Sequence, residues 1–322
     1  MRALVVDPDS PGRLVLDDDY PDPRPGPGEL LLRVSLAGIC ATDLEILRGY
    51  MDFRGVLGHE FVGVVVAGPP EWRSWRVVAE INCLPPEALP ADWTARKHDP
   101  RRSVLGIAGR DGVFAELVSV PLVNCRRVPE ALSDRQAVFA EPLAAACQVL
   151  EDVPVDASLH VAVLGAGRLG LLCGQVLKAA GAQPLMLVRQ PRKAELCRRL
   201  GLPAVGEDEL RRRGPFDLLI ECTGNPAGLE LALELARPRG TIVLKSTYAD
   251  RTQLNAARIV VDELRLVGSR CGPLATALRL LAEGGVQVES LIEAVYPLTR
   301  YEEAFAAASR PGALKVLLDP SH

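Results

Sequence analysis

The chain is short of several things. Only 4% of its 322 residues are aromatic, histidine occurs four times, and five lysines stand against 32 arginines. The lysine shortage by itself points to no function. The eight cysteines, at positions 40, 83, 125, 147, 173, 197, 222 and 271, are never closer than 22 residues, so no C-x-x-C pair exists to build a zinc ribbon or a redox dithiol of that kind. Uncharged apolar runs fall far below the roughly 20 residues that span a bilayer, which excludes a membrane helix. The net charge of -4, from 37 basic and 41 acidic side chains, leaves no basic surface for a nucleic-acid backbone. The opening Met1-Arg2-Ala3-Leu4-Val5-Val6-Asp7 meets an acid too early for the apolar stretch of a secretory signal. A cytoplasmic protein without disulfides is the expectation, with no nucleic-acid or membrane partner.

What is present is a chain that is 48% hydrophobic and long enough for two cores. The first sixty-odd residues carry strand-like Leu and Val content at 2–6 and 30–36. The run Pro21, Pro23, Pro25, Gly26, Pro27 and Gly28 between them fits neither a helix nor a central strand. This half reads as a small barrel, and the Pro-rich, charged stretch 84–103 as a surface lobe with little core of its own. After about residue 133 short apolar runs alternate with helical patterns: Val161 to Leu164, then Leu169 to Ala180; Leu185 to Val188, then Lys193 to Leu200; Leu218 to Glu221, then Ala227 to Ala236. Alternation of that length predicts a doubly wound parallel sheet covered on both faces. The terminal stretch, Ala275 to Ala282, Tyr301 to Ala308 and Ala313 to Leu318, is expected to return to the first domain.

The segment Val161-Ala162-Val163-Leu164-Gly165-Ala166-Gly167-Arg168-Leu169-Gly170 runs a strand into G-x-G-x-x-G and on into a helix. Gly165 allows the tight turn, Gly167 lets backbone approach a pyrophosphate, and Gly170 lets helix pack on strand. In that context the motif predicts a dinucleotide site, with Arg168 and Leu169 at the helix start and Thr223 of Glu221-Cys222-Thr223-Gly224 also on the cofactor. NAD sites place an acid about 20 residues past the glycines to accept from the ribose 2′-hydroxyl. Here Arg189 stands there instead, followed by Arg192 and Lys193, and a guanidinium matches a 2′-phosphate. NADP is therefore favoured over NAD.

Two short segments carry metal-ligand chemistry: Gly38-Ile39-Cys40-Ala41-Thr42-Asp43 and Gly58-His59-Glu60-Phe61-Val62-Gly63. A catalytic zinc takes three protein ligands and keeps one position open. Taken singly, Cys40 reads as a core thiol and His59 as a hydrogen-bonded core histidine. Together with a nucleotide motif they read otherwise.

With these two segments, VLGIAGRDGVFAEL at 104–117, EPLA at 141–144, VAVLGAGRLG and ECTG, the chain resembles the zinc-containing medium-chain dehydrogenase/reductase family. The resemblance covers nearly the whole chain and implies a GroES-like β-barrel catalytic domain at 1–142 and 272–322 around a Rossmann domain at 143–271, an α/β architecture. It implies Cys40 and His59 as zinc ligands, Glu60 as a direct or switching ligand, and Glu141 as the third protein ligand or one acting through water. Thr42 is similar to the family's proton-relay hydroxyl, and Asp43 fits an acid that orients His59. A thiolate, a neutral imidazole and two carboxylates around Zn²⁺ sum to -1 and fill all four positions, so one carboxylate has to leave for substrate to enter. The implied reaction is alcohol or polyol oxidation, or carbonyl reduction, with a nicotinamide. A homodimer or homotetramer is the implied assembly.

The chain departs from the family in the lobe that often carries four cysteines. Here Cys83 stands alone and Asp99 takes the place of the last, so one catalytic zinc per chain and no structural zinc is expected, with His98 facing solvent. Arg270, in Gly268-Ser269-Arg270-Cys271-Gly272, either contacts the cofactor pyrophosphate or only closes a hinge. Two other readings are a zinc-free reductase of activated double bonds, whose branch lacks the Cys and His-Glu ligands, and a nucleotide-binding protein without turnover.

Overall fold

A computed structural model describes residues 1–7, 12–85, 88, 93–247 and 254–321. The chain divides into two compact units: Met1–Glu141 together with Leu291–His322, and Pro142–Ser290. The return to the first unit thus begins later than the sequence suggested. The segment 272–290 packs within the second unit, and at Gly272 its backbone comes so close to the Ala144 carbonyl that a side chain there would collide with it. Farther along the same segment, the Gln175 amide donates to the Gln287 carbonyl at 3.1 Å and accepts from the Gln287 N–H at 2.8 Å.

In the first unit the main sheet runs Cys125–Arg127, Arg76–Ala79, Glu60–Ala67, Glu29–Gly38, Lys315–Asp319 and Ile292–Pro297, with Leu117–Pro121 also pairing Glu29–Gly38. Along Glu29–Gly38, Leu30, Leu32 and Val34 are buried while Arg33 is exposed, the period of two that fixes which face a strand buries. Two three-stranded sheets complete this unit, one built on Ala3–Val6 and one on the lobe strands Asn82–Cys83, Ser103–Leu105 and Gly109–Arg110.

The second unit is a six-stranded parallel sheet in the order Ala204–Val205, Leu185–Leu187, Val161–Leu164, Phe216–Glu221, Ala236–Leu244, Arg265–Gly268. Val161–Leu164 is buried throughout, as expected of a strand covered on both faces. The chain winds outward from Val161–Leu164 in one direction and then returns to add strands on its other side. The turn after that strand is therefore the topological switch point, where doubly wound sheets bind ligands. Among the described residues no helix is long and apolar enough to cross a membrane.

Candidate metal centre and dinucleotide site

The strand Glu29–Gly38 delivers Cys40 to the N-terminus of the short helix Ala41–Leu47. There the Cys40 N–H donates to Asp43 Oδ2 at 2.7 Å, and the Cys40 thiol lies 3.7 Å from the Thr42 hydroxyl it donates to. Asp43 uses its other oxygen on the second segment: Oδ1 is 3.2 Å from His59 Nδ1, both side chains buried, though the pair is poorly aligned for a hydrogen bond. With Asp43 at Nδ1, the His59 ring offers Nε2 as its ligand atom. Gly58, in the left-handed region at φ 94°, makes the turn that presents His59, and a side chain there would strike the Phe114 ring.

Glu60 opens the strand Glu60–Ala67 opposite Gly38, whose missing side chain leaves the room its carboxylate occupies. Among the described residues, Cys40, His59 and Glu60 are the one group of metal-capable side chains that converges, their ligand atoms lying within 4.8 Å of one another. Sulfur, imidazole nitrogen and carboxylate oxygen at that spacing fit a zinc ion. Glu141, in the first turn of the helix Ala140–Asp152, stands outside this group but within its field. Burial pushes its carboxyl up to about 7; the charge of Glu60 adds to this, and His59 and Lys315 oppose it. Burial disfavours a charged His59, yet Asp43 and Cys40 outweigh it and raise the imidazole well above its ordinary value.

The sequence reading missed Lys315. Its ammonium pairs with Glu60 Oε2 and donates to the Ile39 carbonyl at 3.3 Å, and both side chains of the pair are almost fully buried. The signal was a lone lysine in the apolar run Ala313-Leu314-Lys315-Val316-Leu317-Leu318. A divalent ion with a Cys40 thiolate, a neutral His59 and both carboxylates would sum to -1 if Glu141 were ionised as well, and the Lys315 charge would bring that total to zero. Lysines 97, 193 and 245 are buried as well, which leaves Lys178 as the one exposed lysine.

In the second unit Gly165 has φ 103°, and a side chain at Gly170 would collide with the Gly165 carbonyl. A Cβ on Gly167 meets nothing within 4 Å, so the space in front of that backbone is open, as a pyrophosphate requires. Gly167 caps the helix Arg168–Ala179 without a side-chain hydrogen bond, which leaves first-turn N–H groups for a ligand. Beside them Arg168 carries a buried Nη1 with no hydrogen-bond partner. The Thr223 hydroxyl is engaged within its own turn, donating to Glu221 Oε1 at 2.6 Å.

The basic residues after the second strand separate. Arg189 is exposed, 3.6 Å from Glu207, and Arg192 is exposed at the start of the helix Pro191–Arg199. Lys193 is buried on the inner face of that helix, away from the surface where a 2′-phosphate would be met. Arg270 is exposed just past the strand Arg265–Gly268, and His98 is exposed in the lobe.

A unit with a Cys-His-Glu cluster, joined in one chain to a doubly wound unit with a glycine turn, defines the class of zinc-type alcohol dehydrogenases. Residues 26–130 match the alcohol dehydrogenase GroES-like domain and residues 169–283 the zinc-binding dehydrogenase domain. The chain belongs to the zinc-containing medium-chain dehydrogenase/reductase family. It is 31% identical to the L-threonine 3-dehydrogenase of Streptomyces avermitilis over 99% of both chains. Among solved structures it is similar to an alcohol dehydrogenase of Escherichia coli complexed with NADH, at TM-score 0.89 and 26% identity, with 99% of each chain covered. A zinc-binding dehydrogenase of Sinorhizobium meliloti bound to NADP follows at TM-score 0.88 and 28% identity, again over 99% of each chain. The protein is an oxidoreductase of this family.

Proposed function

We propose that the chain is a zinc-dependent, NADP-linked dehydrogenase of a secondary alcohol, polyol or sugar-like substrate, with one zinc held by Cys40, His59 and Glu60. The observation that carries this is the convergence of those three ligand atoms in a chain that also has an open glycine turn. A zinc ion held there would supply Lewis-acid polarisation of the substrate oxygen, and a nicotinamide would supply the hydride acceptor. Cys40 supplies the thiolate, Asp43 holds the His59 ring, and the Thr42 hydroxyl beside the Cys40 sulfur receives the substrate proton. Lys315 gives Glu60 a second partner, so of the two carboxylates Glu60 is the one that would keep a paired charge if released from an ion, and Glu141 would then hold it directly or through water.

Cofactor choice rests on Arg189, with Arg192 beside it. Meeting a 2′-phosphate means exchanging the loose ion pair with Glu207 for a bidentate contact. Eight cysteines with no disulfide among them fit a reducing cytoplasm. The exposed pair Val260 and Val261, four residues before the edge strand Arg265–Gly268, supports a homodimer through that edge.

The test is a panel of polyols and secondary alcohols with NADP and NAD, before and after dialysis against a chelator. Turnover is expected with NADP, lost on chelation and restored by Zn²⁺, and Arg189→Asp is expected to reverse the cofactor preference. Activity that survives full metal removal would sink the reading, as would an Arg189→Asp variant whose NADP/NAD ratio is unchanged.

A further inference from the structure

The helix Ala140–Asp152 carries Glu141 in its first turn and continues into the second unit, which begins at Pro142. One turn beyond Glu141 it meets a buried lysine for which the proposed reaction has no use. Lys245 follows the strand Ala236–Leu244 and is only 8% exposed. Its ammonium donates to the Ala145 carbonyl at 2.7 Å and to Ser269 Oγ at 3.0 Å. A carbonyl oxygen has two lone pairs, so Ala145 accepts from Lys245 and still serves the helix ladder.

The base of this lysine is fixed as firmly as its tip. The Lys245 N–H donates to the Glu221 carbonyl at 3.0 Å and the Ser269 N–H to the Leu244 carbonyl at 3.1 Å, so both residues prolong the sheet past its strand ends. A little farther on, the backbone of Gly272 comes so close to the Ala144 carbonyl and the Gln148 nitrogen that no side chain fits between. Two successive helix carbonyls, those of Ala144 and Ala145, are thus held from the carboxyl edge of the sheet. Neighbouring carbonyls lie roughly 100° apart around a helix axis, so holding both fixes the helix in rotation and along its axis. Stability alone does not account for a lysine here. Both of its acceptors are neutral, and an enclosed charge so held favours the fold less than an apolar side chain of similar volume. What the ammonium adds is direction, because a hydrogen bond fixes a position along which an apolar contact would let the helix slide.

We infer that Lys245 is the positioning residue for Glu141: by holding the Ala145 carbonyl it sets the place of the helix, and so the point from which Glu141 acts on a metal ion held by Cys40, His59 and Glu60. Ala145 is the residue whose N–H meets the Glu141 carbonyl in the helix ladder, so a displacement at Ala145 is passed directly to Glu141. Without the ammonium the helix keeps its fold but loses its fixed place, and the carboxyl group no longer meets the ion, or the water on it, in one geometry. The fixing of the helix stands by itself. The effect on the ion rests on the reading of Glu141 as a ligand, direct or through water.

The experiment takes the full-length parent, Lys245→Met, Glu141→Gln and the double variant, strips each of metal, titrates it with Zn²⁺ against a chromophoric chelator, and follows amide hydrogen exchange along the helix. Methionine keeps the apolar stem and removes the ammonium. Lys245→Met is expected to exchange faster at 144–149 and to bind zinc about tenfold more weakly, Glu141→Gln to lose a similar factor, and the double variant to bind no more weakly than Glu141→Gln alone. A lysine that only stabilised the fold would add its effect to that of Glu141→Gln, so additive losses overturn the inference. Unchanged zinc affinity in Lys245→Met, with Glu141→Gln weakened, overturns it too. Helix amides that exchange as in the parent overturn the fixing of the helix. Unchanged affinity in Glu141→Gln strikes down the ligand reading and with it the effect on the ion, while the exchange data still decide whether Lys245 holds the helix. Ser269→Ala removes one anchor and leaves the charge. It is expected to weaken zinc binding about threefold in the parent and not at all beside Glu141→Gln, and it decides the matter should Lys245→Met not fold.

Discussion

Glu60 and Lys315 form an ion pair almost closed to water, so each is costly without the other. Lys315→Met is expected to destabilise the metal-free protein by about 3–5 kcal/mol in denaturant unfolding, and adding Glu60→Gln to recover much of it. A single variant as stable as the parent would remove the pair from the account. Glu80 is a different case. Burial pushes its carboxyl up to about 7, with Arg126 and Arg96 opposing, and its Oε2 has no hydrogen-bond partner. The folded chain thus holds a proton that the unfolded chain releases near 4.5, so the stabilising contribution is full below that value and is lost as pH rises towards 7. Glu80→Gln keeps the neutral form at every pH. Its Tm advantage over the parent is expected to grow between pH 5 and pH 8, corresponding to at most about 3 kcal/mol, and a pH-independent difference would contradict the assignment. The convergence of Cys40, His59 and Glu60 was legible because the two short segments that carry them resemble the family's, in a histidine-poor chain. Lys315 was not, because nothing in the sequence says which strand lies beside Gly38.

At the scale of elements, the parallel sheet was read closely. The strand at Val161–Leu164 and the helix Tyr301–Ala308 end where their apolar patterns end, since continuous burial and the 3.6-residue period leave clear marks. The destination of the helix Leu274–Ala282 was misread because an amphipathic helix shows that it has a buried face but not what covers it. The same limit hid the fate of Lys193, one position from an exposed arginine and yet facing inward. The glycine turn invites a paired test. Gly170→Ala forces a methyl into the Gly165 carbonyl and is expected to cost about 1–3 kcal/mol of stability. Gly167→Ala meets open space, so its Tm should match the parent while the cofactor Kd rises by about tenfold, or ~1.4 kcal/mol. Equal stability and equal affinity in both variants would separate the turn from the cofactor.

For the whole molecule, the division of the chain was legible in outline from the change in pattern near residue 133, whereas the assembly was not. Val260 and Val261, at 75% and 79% exposure, are the most exposed large apolar side chains among the described residues. Asp at both positions should alter the subunit's own stability by no more than about 1 kcal/mol, as exposed substitutions do. If the sheet edge joins two copies, size-exclusion chromatography with light scattering will show the variant as a monomer and the parent as a dimer; equal masses would place the contact elsewhere.

The uneven use of the two basic side chains has a practical consequence. Lysines 97, 193, 245 and 315 are enclosed, and the terminal amine of Met1 is tied to the Tyr20 carbonyl and Asp22. Arginine, which carries the outer positive charge, does not react with activated esters. Acylating reagents, amine-coupled resins and lysine crosslinkers therefore find one exposed lysine, Lys178, whose ammonium donates to the Leu200 carbonyl at 3.1 Å, and a surface so poor in lysine makes the folded protein a natural candidate for attachment at few points.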